Sequence, residues 1–363
     1  MPVNPIWLST DRVESYAQIR LQPITLNSLL DLGLQNNILA SARLVHAELP
    51  GRLARRVRAI QQLPFIVGVN PYIKNVYKMY NDSFEILSQY PEIKDEADVR
   101  NYTTQLRALV ASHEHVIPNL ARGFMECKKY MSTNEINAFL DAMIHSRIGI
   151  RVLAEHHLAL QERLPNWIGI VNTTCSPVAV VRATAEKCET LCEMNYGSSP
   201  EYLVNGHVQT TFAYIRVHLE YVLLELLKNA FRATVEHSDR IGRAEHPPVE
   251  VTVSASDREC VIRIRDEGGG ITAKNLRRIW EYSYTTVERY DEAHDSVLGM
   301  QSHMAMQQGS GGPMAGLGFG LPISRIYSRY FGGSLDIVSI TGHGCDVFLK
   351  LPNISRIVDK VSI

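Results

Sequence analysis

One stretch of the chain, Leu219 to Glu236, carries polar side chains at a spacing suited to ligand chemistry. Its sequence, LEYVLLELLKNAFRATVE, repeats apolar residues every three or four positions, which predicts a helix with one face toward a core. Glu225, Asn229 and Arg232 fall together on another face, because residues three or four apart lie one above the other. This face is either a solvated polar surface or the binding face for a ligand.

Two glycine-rich segments follow this helix. After the alternating segment Glu259 to Arg265 comes Asp266-Glu267-Gly268-Gly269-Gly270, an acidic residue at a predicted strand end followed by glycines. Further on, Gly316 to Leu321 (GLGFGL) opens another predicted helix. Each glycine cluster alone is typical of a turn. The succession ExxxN, DxGxG and GxGxGL is much rarer than any one of its parts and favours a nucleotide site.

The residue types of this succession suit ATP bound with Mg²⁺. Asn229 offers a neutral carbonyl oxygen to the metal, which keeps most of its coordination for phosphates and water. Glu225, one turn earlier, can stand near the γ-phosphate and take a proton from an attacking hydroxyl. Lys228 and Arg232 add positive charge beside them, and Asp266 suits the exocyclic amino group of adenine.

Backbone groups of the glycine segments complete the predicted nucleotide site. Gly268 and Gly270 let the main chain pass close to the base and the ribose. The second segment presents amides at a helix start, where phosphate is attracted; its residues are Gly316, Leu317, Gly318, Phe319, Gly320 and Leu321. Thr285 and Thr286 stand at the entrance to a Gly-, Ser-, Gln- and Met-rich stretch and could touch ribose or phosphate. Neither a Walker GK[ST] nor the VAIK, HRD and DFG set of protein kinases is present in suitable order.

Length and composition bound the remaining possibilities. A chain of 363 residues is comfortable for two domains, each with its own core. The 37 lysines and arginines nearly balance the 38 aspartates and glutamates, so the total charge does not favour a nucleic-acid partner. The six cysteines show no CxxC pair or zinc spacing, which favours a reducing compartment, and no apolar run predicts a membrane span. The first residues resemble neither a signal peptide nor a transit sequence, as expected of a cytosolic protein or a trimmed mature form.

The order of predicted elements indicates an α+β protein. Residues 1–165 form the first domain, an antiparallel bundle of long helices, with helix ends expected at Pro50-Gly51, Tyr90, Tyr130 and Arg163. Residues 166–363 form the second domain, a mixed sheet with helices on one face. In it, 249–254 pairs with 260–265, Thr272 caps a helix through Tyr282, and a last helix ends at Gly332-Gly333 before a closing hairpin.

One helical segment of the first domain, SRIGIRVLAEHH from Ser146 to His157, carries further polar groups. Arg147 and Arg151 lie one turn apart, and two histidines stand near the helix end. A histidine there is favourable by charge and dipole alone. The functional alternative is that this helix meets the nucleotide domain, with His157 steering the catalytic carboxylate.

The nucleotide motifs, taken in order, resemble the ATP-binding domain shared by histidine kinases, gyrase-type ATPases, heat-shock chaperone ATPases and mitochondrial 2-oxo acid dehydrogenase kinases. The helical domain, SRIGIR…HH, ELLKNAFRATVE, DEGGGI, YTTV and GLGFGLPISRIYSRYFGGSL narrow the resemblance to the last group, over about Val13 to Leu351. That resemblance implies an α/β sandwich, with Glu225 as base, Asn229 on Mg²⁺ and His157 supporting the glutamate. It also implies serine phosphorylation, with ATP and Mg²⁺ as cofactors and K⁺ as a further candidate ion.

The same resemblance implies partners and a location. The substrate would be the α chain of the decarboxylase component, reached by docking on the lipoyl domain of the acyltransferase core in the mitochondrial matrix. A homodimer through the nucleotide domain is expected, and Arg147 would help form a regulatory pocket for 2-oxo acids, or else a buried salt bridge. Some segments resemble the branched-chain kinase, others the pyruvate kinases; the sequence ends at Ile363 without an Asp-Trp tail, which leaves the docking mode open.

Two other functions are weighed against this one. The first is a two-component histidine kinase with His156 or His157 as phosphoacceptor, for which no sensor or membrane segment is seen. The second is a scaffold that binds ATP without turnover. The presence of Glu225, Asn229 and Asp266, the residues expected for catalysis and ATP binding, disfavours it.

Overall fold

The computed structural model describes residues 11–21, 25–35, 37–162, 164–282, 284 and 318–354. It divides into two compact units, the first from Met1 to Ile170 with the last two residues, the second from Val171 to Val361. The division falls five residues after the predicted domain boundary. No described helix is long and apolar enough to cross a membrane.

The first unit is helical. Its helices, in chain order, are α1 Asp11–Gln18, α2 Leu26–Leu34, α3 Ile38–Gln61, α4 Phe65–Gly68, α5 Pro71–Ser88, α6 Glu96–Ser112, α7 Val116–Glu126 and α8 Thr133–Ala159. α3 is central: α1, α5, α6 and α8 all pack against it. α8 begins as predicted at Ser132, where a capping box with Glu135 satisfies free amides of the first turn. A short strand, β1 (Trp167–Ile168), follows the last helix.

Two predictions about helices in the bundle are wrong, one about where a helix ends and one about its continuity. α3 does not stop at Pro50-Gly51 but runs on to Gln61. Its buried residues continue at helical spacing across the proline, and packing of this face outweighs the lost backbone hydrogen bond. The segment predicted as one helix from Glu96 to Tyr130 is two, because the chain breaks at His113, whose carbonyl accepts a bond from Arg147. Local periodicity does not reveal either tertiary contact.

The second unit is a mixed sheet with helices on one face, as predicted. Its elements are β2 Val171–Cys175, α9 Pro177–Tyr196, β3 Tyr202–Gly206, β4 Phe212–Tyr214, α10 Arg216–Ile241, β5 Val249–Ala255, β6 Glu259–Asp266, α11 Ala273–Leu276, α12 Gly320–Tyr330, β7 Ser334–Ile340 and β8 Gly344–Pro352. The described strands form a five-stranded sheet of order β3-β5-β6-β8-β7, and β2 pairs with β4 separately. Only β3 and β5 run parallel in the larger sheet.

Alternation along the strands explains why helices cover one face of this sheet. Val251, Ile262, Ile264 and Leu349 point inward and are buried under helices α9, α10 and α12. The opposite face is polar; there Arg263 lies between two carboxylates of neighbouring strands. The sequence pattern predicted both the hairpin β5–β6 and the hairpin β7–β8.

One predicted helix of the second unit is shorter than expected. Thr272 caps α11 as predicted, but α11 ends at Leu276 and not at Tyr282. None of its residues is buried, so no apolar face stabilises a longer helix. The following aromatic residues pack instead on α12 and its approach: Trp280 lies under Arg325, and Tyr282 contacts Phe319.

Candidate functional site

The helix α10 brings the first group of predicted residues together. Leu223, Leu226 and Leu227 are buried along one side of it, which orients the polar side. On that polar side the Lys228 ammonium lies 2.6 Å from the Glu225 carboxylate, and both side chains are nearly inaccessible to solvent. An ion pair this deeply buried is costly to form, because both charges lose their hydration.

Asn229 and Arg232 follow on the same side of α10 with unused hydrogen-bonding groups. The Asn229 amide is half-buried and makes no side-chain hydrogen bond to any residue that the structure describes. The Arg232 Nε is buried and likewise has no hydrogen-bond partner within the described parts of the chain. Polar groups left open in a buried setting are suited to a ligand. A carbonyl oxygen at Asn229 fits Mg²⁺, which takes few protein ligands when phosphate is present.

Asp266 ends β6, where it faces Cys345 of β8. Its Oδ1 accepts backbone N–H bonds from Gly268 at 2.9 Å and from Cys345 at 3.4 Å. Burial raises the pKa of this carboxyl to about 6, while these two amides act in the opposite direction. Its Oδ2 has no bond to any described residue, so it remains available for a donor such as the amino group of adenine.

The glycine turn after Asp266, residues 268–270, packs between α10 and the hairpin β7–β8. A Cβ on Gly268 would overlap Ala233, and one on Gly269 would overlap the ring of His237. Gly269 and Gly270 also adopt positive φ angles of 77° and 68°, which favour glycine. Close packing and backbone conformation therefore require these glycines. The predicted approach of the main chain to the adenine base is a second, separate reason for glycine here.

The second glycine segment leads into α12 directly beside the ion pair. A Cβ on Gly320 would overlap the Glu225 carboxylate, so the first residue of α12 touches the candidate base. The N-cap residue Phe319 makes no side-chain capping bond, so within the described part of the chain the amides of the first turn are open to an anion. Gly318 adopts a positive φ of 75° and packs on the backbone of Tyr284. Thr285, Thr286, Gly316 and Leu317 lie outside the described residues.

A tyrosine cluster beside Glu225 was missed by the sequence reasoning. Tyr221 lies one turn before Glu225 on α10, and its ring contacts Tyr327 of α12 at 5.2 Å. Burial, and next the charge of Glu225, raise the pKa of the Tyr221 hydroxyl well above its usual range. The four-residue spacing of Tyr221 and Glu225 could have placed both on one side of the helix from the sequence alone. The contact of Tyr221 with α12 could not have been found in this way.

His157 lies inside the helical unit and is fully buried. Its Nδ1 lies 3.1 Å from the Ser41 hydroxyl and its Nε2 3.1 Å from the Thr103 hydroxyl. Burial, followed by the neighbouring His156, lowers the pKa of His157 to about 4, so the ring is neutral at physiological pH. Its predicted support of Glu225 stays a prediction. His156 is equally buried, and neither ring is exposed to accept phosphate.

Arg147 lines a cavity of about 30 Å³ within the helical unit. Its Nη2 donates to the carbonyl of His113 at 3.0 Å, and the ring of His113 in turn lies 2.8 Å from the Ser83 hydroxyl. Burial, and next the charge of Arg147, lower the pKa of His113 to about 4. The exposed lining of this cavity is almost entirely apolar, so the predicted 2-oxo acid pocket at Arg147 stays a prediction.

The second unit thus has an ATP-binding domain's layout, with an acidic strand end, a glycine turn and an uncapped helix around one polar helix face. A model described as histidine kinase-, DNA gyrase B- and HSP90-like ATPase matches residues 215–354. A second model, mitochondrial branched-chain alpha-ketoacid dehydrogenase kinase, matches residues 23–172. The class defined by fold and site is therefore a protein with an ATPase domain of this type, preceded in the sequence by a helical domain of the kind found in these dehydrogenase kinases.

Similarity to individual proteins extends over nearly the whole chain. A mitochondrial pyruvate dehydrogenase (acetyl-transferring) kinase of Arabidopsis thaliana is 36% identical over 359 residues, covering 96% of this chain and 94% of that protein. Isozyme 4 of the same kinase from Mus musculus is 32% identical, covering 97% and 86%. The Schizosaccharomyces pombe kinase is 34% identical over 259 residues, or 69% and 59%. The chain belongs to the mitochondrial 2-oxo acid dehydrogenase kinase family.

Proposed function

We propose that this protein is an ATP-dependent serine kinase that phosphorylates the α chain of the decarboxylase component of a mitochondrial 2-oxo acid dehydrogenase complex and so switches the complex off. One observation carries the proposal. The buried Glu225 carboxylate, paired with Lys228, touches the first residue of the uncapped helix α12. A base and a phosphate-binding helix start therefore lie side by side.

Each residue of the site has a role in this proposal. Glu225 takes the proton of the attacking serine hydroxyl, and Lys228 holds that carboxylate in place. Asn229 binds Mg²⁺, and the Arg232 guanidinium binds a phosphate of ATP. The Oδ2 of Asp266 accepts a hydrogen bond from the adenine amino group, since its Oδ1 is already bonded. ATP would supply the phosphoryl group, and Mg²⁺ held by Asn229 would neutralise part of its charge. K⁺ is a further candidate ion, for which no described residue offers a distinctive site.

The remaining assignments rest on the family. His157 supports the base, the lipoyl domain of the acyltransferase core provides the docking site, and two copies associate through the nucleotide domain in the mitochondrial matrix. The cavity at Arg147 takes a 2-oxo acid as regulator. The names of the relatives favour pyruvate dehydrogenase as the complex, whereas the family model that matches the first unit is named for the branched-chain enzyme.

The test is transfer of labelled phosphate from ATP to purified pyruvate and branched-chain decarboxylase components, each with its acyltransferase core. Acid-stable serine label on one α chain is expected, and it identifies the complex. Glu225→Gln should reduce the rate about 10² to 10⁴-fold, because general base catalysis contributes roughly that much. ATP binding should persist in this variant.

Two outcomes would contradict the proposal. Acid-labile label on the protein's own histidine would indicate a two-component histidine kinase. Full inhibition of the complex by Glu225→Gln, with no phosphate transferred, would indicate a scaffold that uses ATP without turnover.

A further inference from the structure

The end of α9 reaches the polar side of α10. Tyr196 is the last residue of α9, and its hydroxyl donates a hydrogen bond of 2.9 Å to Oε1 of Glu236. Burial and the Glu236 carboxylate raise the pKa of this hydroxyl, so it stays protonated and remains a donor. A bond from a phenol to a carboxylate is charge-assisted and stronger than one between neutral groups. The bond therefore restricts the position of the Glu236 carboxylate.

Glu236 in turn stands beside Arg232. The same Oε1 lies 3.9 Å from Arg232 Nε, one helical turn away. That distance permits electrostatic attraction but no hydrogen bond, and the Nε is buried without a partner among the residues that the structure describes. The arginine side chain is the less exposed of the two, 16% against 37%. Its guanidinium is held by charge on one side and keeps its donors for another group.

The place of this arginine on α10 indicates what that group is. Asn229 lies three residues before Arg232, so the two share a side of the helix. Ala233 lies one turn after Asn229 and packs against Gly268 of the glycine turn that follows Asp266. The expected metal ligand and the expected base site are therefore about one helical turn apart along α10, and Arg232 lies within that turn, where the phosphates of a nucleotide would pass.

We propose that Tyr196 is a positioning residue for the nucleotide: its hydroxyl holds Glu236, and Glu236 keeps the Arg232 guanidinium directed toward the phosphates. A free arginine loses rotamer freedom on binding, and an arginine already held in place loses less. The end of α9 thereby contributes to ATP affinity without touching the ligand. This inference rests on the proposed nucleotide site.

The test removes the hydroxyl alone. Tyr196→Phe in the full-length protein should weaken ATP–Mg²⁺ binding about three- to tenfold, as expected for loss of one charge-assisted hydrogen bond, measured by titration calorimetry. The KM for ATP should rise by the same factor while kcat stays within about twofold, because binding energy common to ground and transition states is lost. Tyr202→Phe is the matched control: Tyr202 is half-buried in the same unit, its hydroxyl has no described partner, and the substitution should change neither quantity.

A double-mutant cycle separates positioning from a general structural effect. If Tyr196 acts through Arg232, Tyr196→Phe should have no further effect on ATP affinity in an Arg232→Ala background. Unchanged affinity in the single variant, or the same loss in both backgrounds, would overturn the inference. Asn229→Ala separates a failure of the Tyr196 role from a failure of the nucleotide site. If Asn229→Ala weakens ATP binding and Tyr196→Phe does not, only the role of Tyr196 fails. If neither weakens it, the proposed nucleotide site fails as well.

Discussion

At the scale of single residues, the site is governed by charges held out of water. Glu225 and Lys228 satisfy each other in a setting where either alone would be strongly unfavourable. Asp266 is buried, and its hydrogen-bond partners among the described residues are two backbone amides and no cation. The two carboxylates therefore differ in chemistry: one is balanced by an ammonium, the other has a raised pKa and an open oxygen.

The buried ion pair leads to a prediction about stability. Lys228→Met should lower the free energy of unfolding by about 3 kcal/mol, because it leaves the Glu225 carboxylate buried without its partner. The double variant Glu225→Gln, Lys228→Met should lose less than the sum of the two single variants. Chemical denaturation gives the free energy of unfolding of the wild-type protein, the two single variants and the double variant. Additive losses would show that the two side chains do not stabilise each other.

The raised pKa of Asp266 leads to a prediction about pH. Its folded value of about 6 lies above the ordinary 3.8, so folding takes up protons between about pH 4 and 6. The free energy of unfolding therefore falls as pH rises through this window. Asp266→Asn should be more stable than the wild-type protein at pH 7.5, and this gain should shrink as pH falls toward 4. Thermal melting across this range measures it.

The same substitution should impair binding. With its oxygen turned toward the amides of Gly268 and Cys345, the new asparagine would present an amino group to the amino group of adenine. ATP affinity should fall about tenfold or more at pH 7.5. A variant that binds ATP normally would remove Asp266 from the base site.

At the scale of elements, the proposed site depends on close approaches between α10, the glycine turn and the start of α12. Glycine at 320 lets α12 begin against the Glu225 carboxylate, and glycine at 268 lets the turn lie on Ala233. Packing of this kind cannot absorb one additional methyl group without displacement of a neighbour. The distance between the proposed base and the proposed phosphate site is thus set by helix contact and not by loop length.

Gly320→Ala tests this dependence. The added Cβ would displace the carboxylate of Glu225, so phosphate transfer should fall about 10²-fold, as for a misplacement of about 1 Å, while the fold remains. Gly242→Ala is the control: Gly242 has a positive φ of 66° but open space around its Cβ position. It should cost some stability and leave the rate unchanged. Equal rates in both variants would contradict the proposed contact.

At the scale of the whole molecule, two units hold two kinds of site. The candidate nucleotide site lies within the second unit, and the cavity at Arg147 lies within the first. Each unit has its own buried core, so each has its own source of stability.

Ligands should therefore stabilise the units separately. ATP–Mg²⁺ at about 100 times its Kd should add about 2.7 kcal/mol to the unit that binds it. In differential scanning calorimetry, the transition of residues 171–361 should move to higher temperature, and Asn229→Ala should abolish the shift. Pyruvate should move the other transition, and Arg147→Ala should abolish that shift. A pyruvate shift that survives Arg147→Ala would exclude this cavity as the pocket.

The sequence alone determined the fold class, the strand hairpins and the residue types of the site. Period-two and helical patterns are local, so they predicted the hairpins β5–β6 and β7–β8 and the helices α8 and α10. The spacing of Glu225 and Asn229 on one helix, and the order of the glycine motifs, were likewise readable because each depends on neighbouring residues alone.

Tertiary structure decided the rest. α3 continues through Pro50, the chain breaks at His113, and α11 stops early because of contacts, or their absence, far along the chain. Three contacts at the site also depend on tertiary packing: the contact of Gly320 with Glu225, the tyrosine cluster at Tyr221 and the hydrogen bond from Tyr196 to Glu236. These features arise where separate elements pack together, and packing depends on shape and burial that no local pattern encodes.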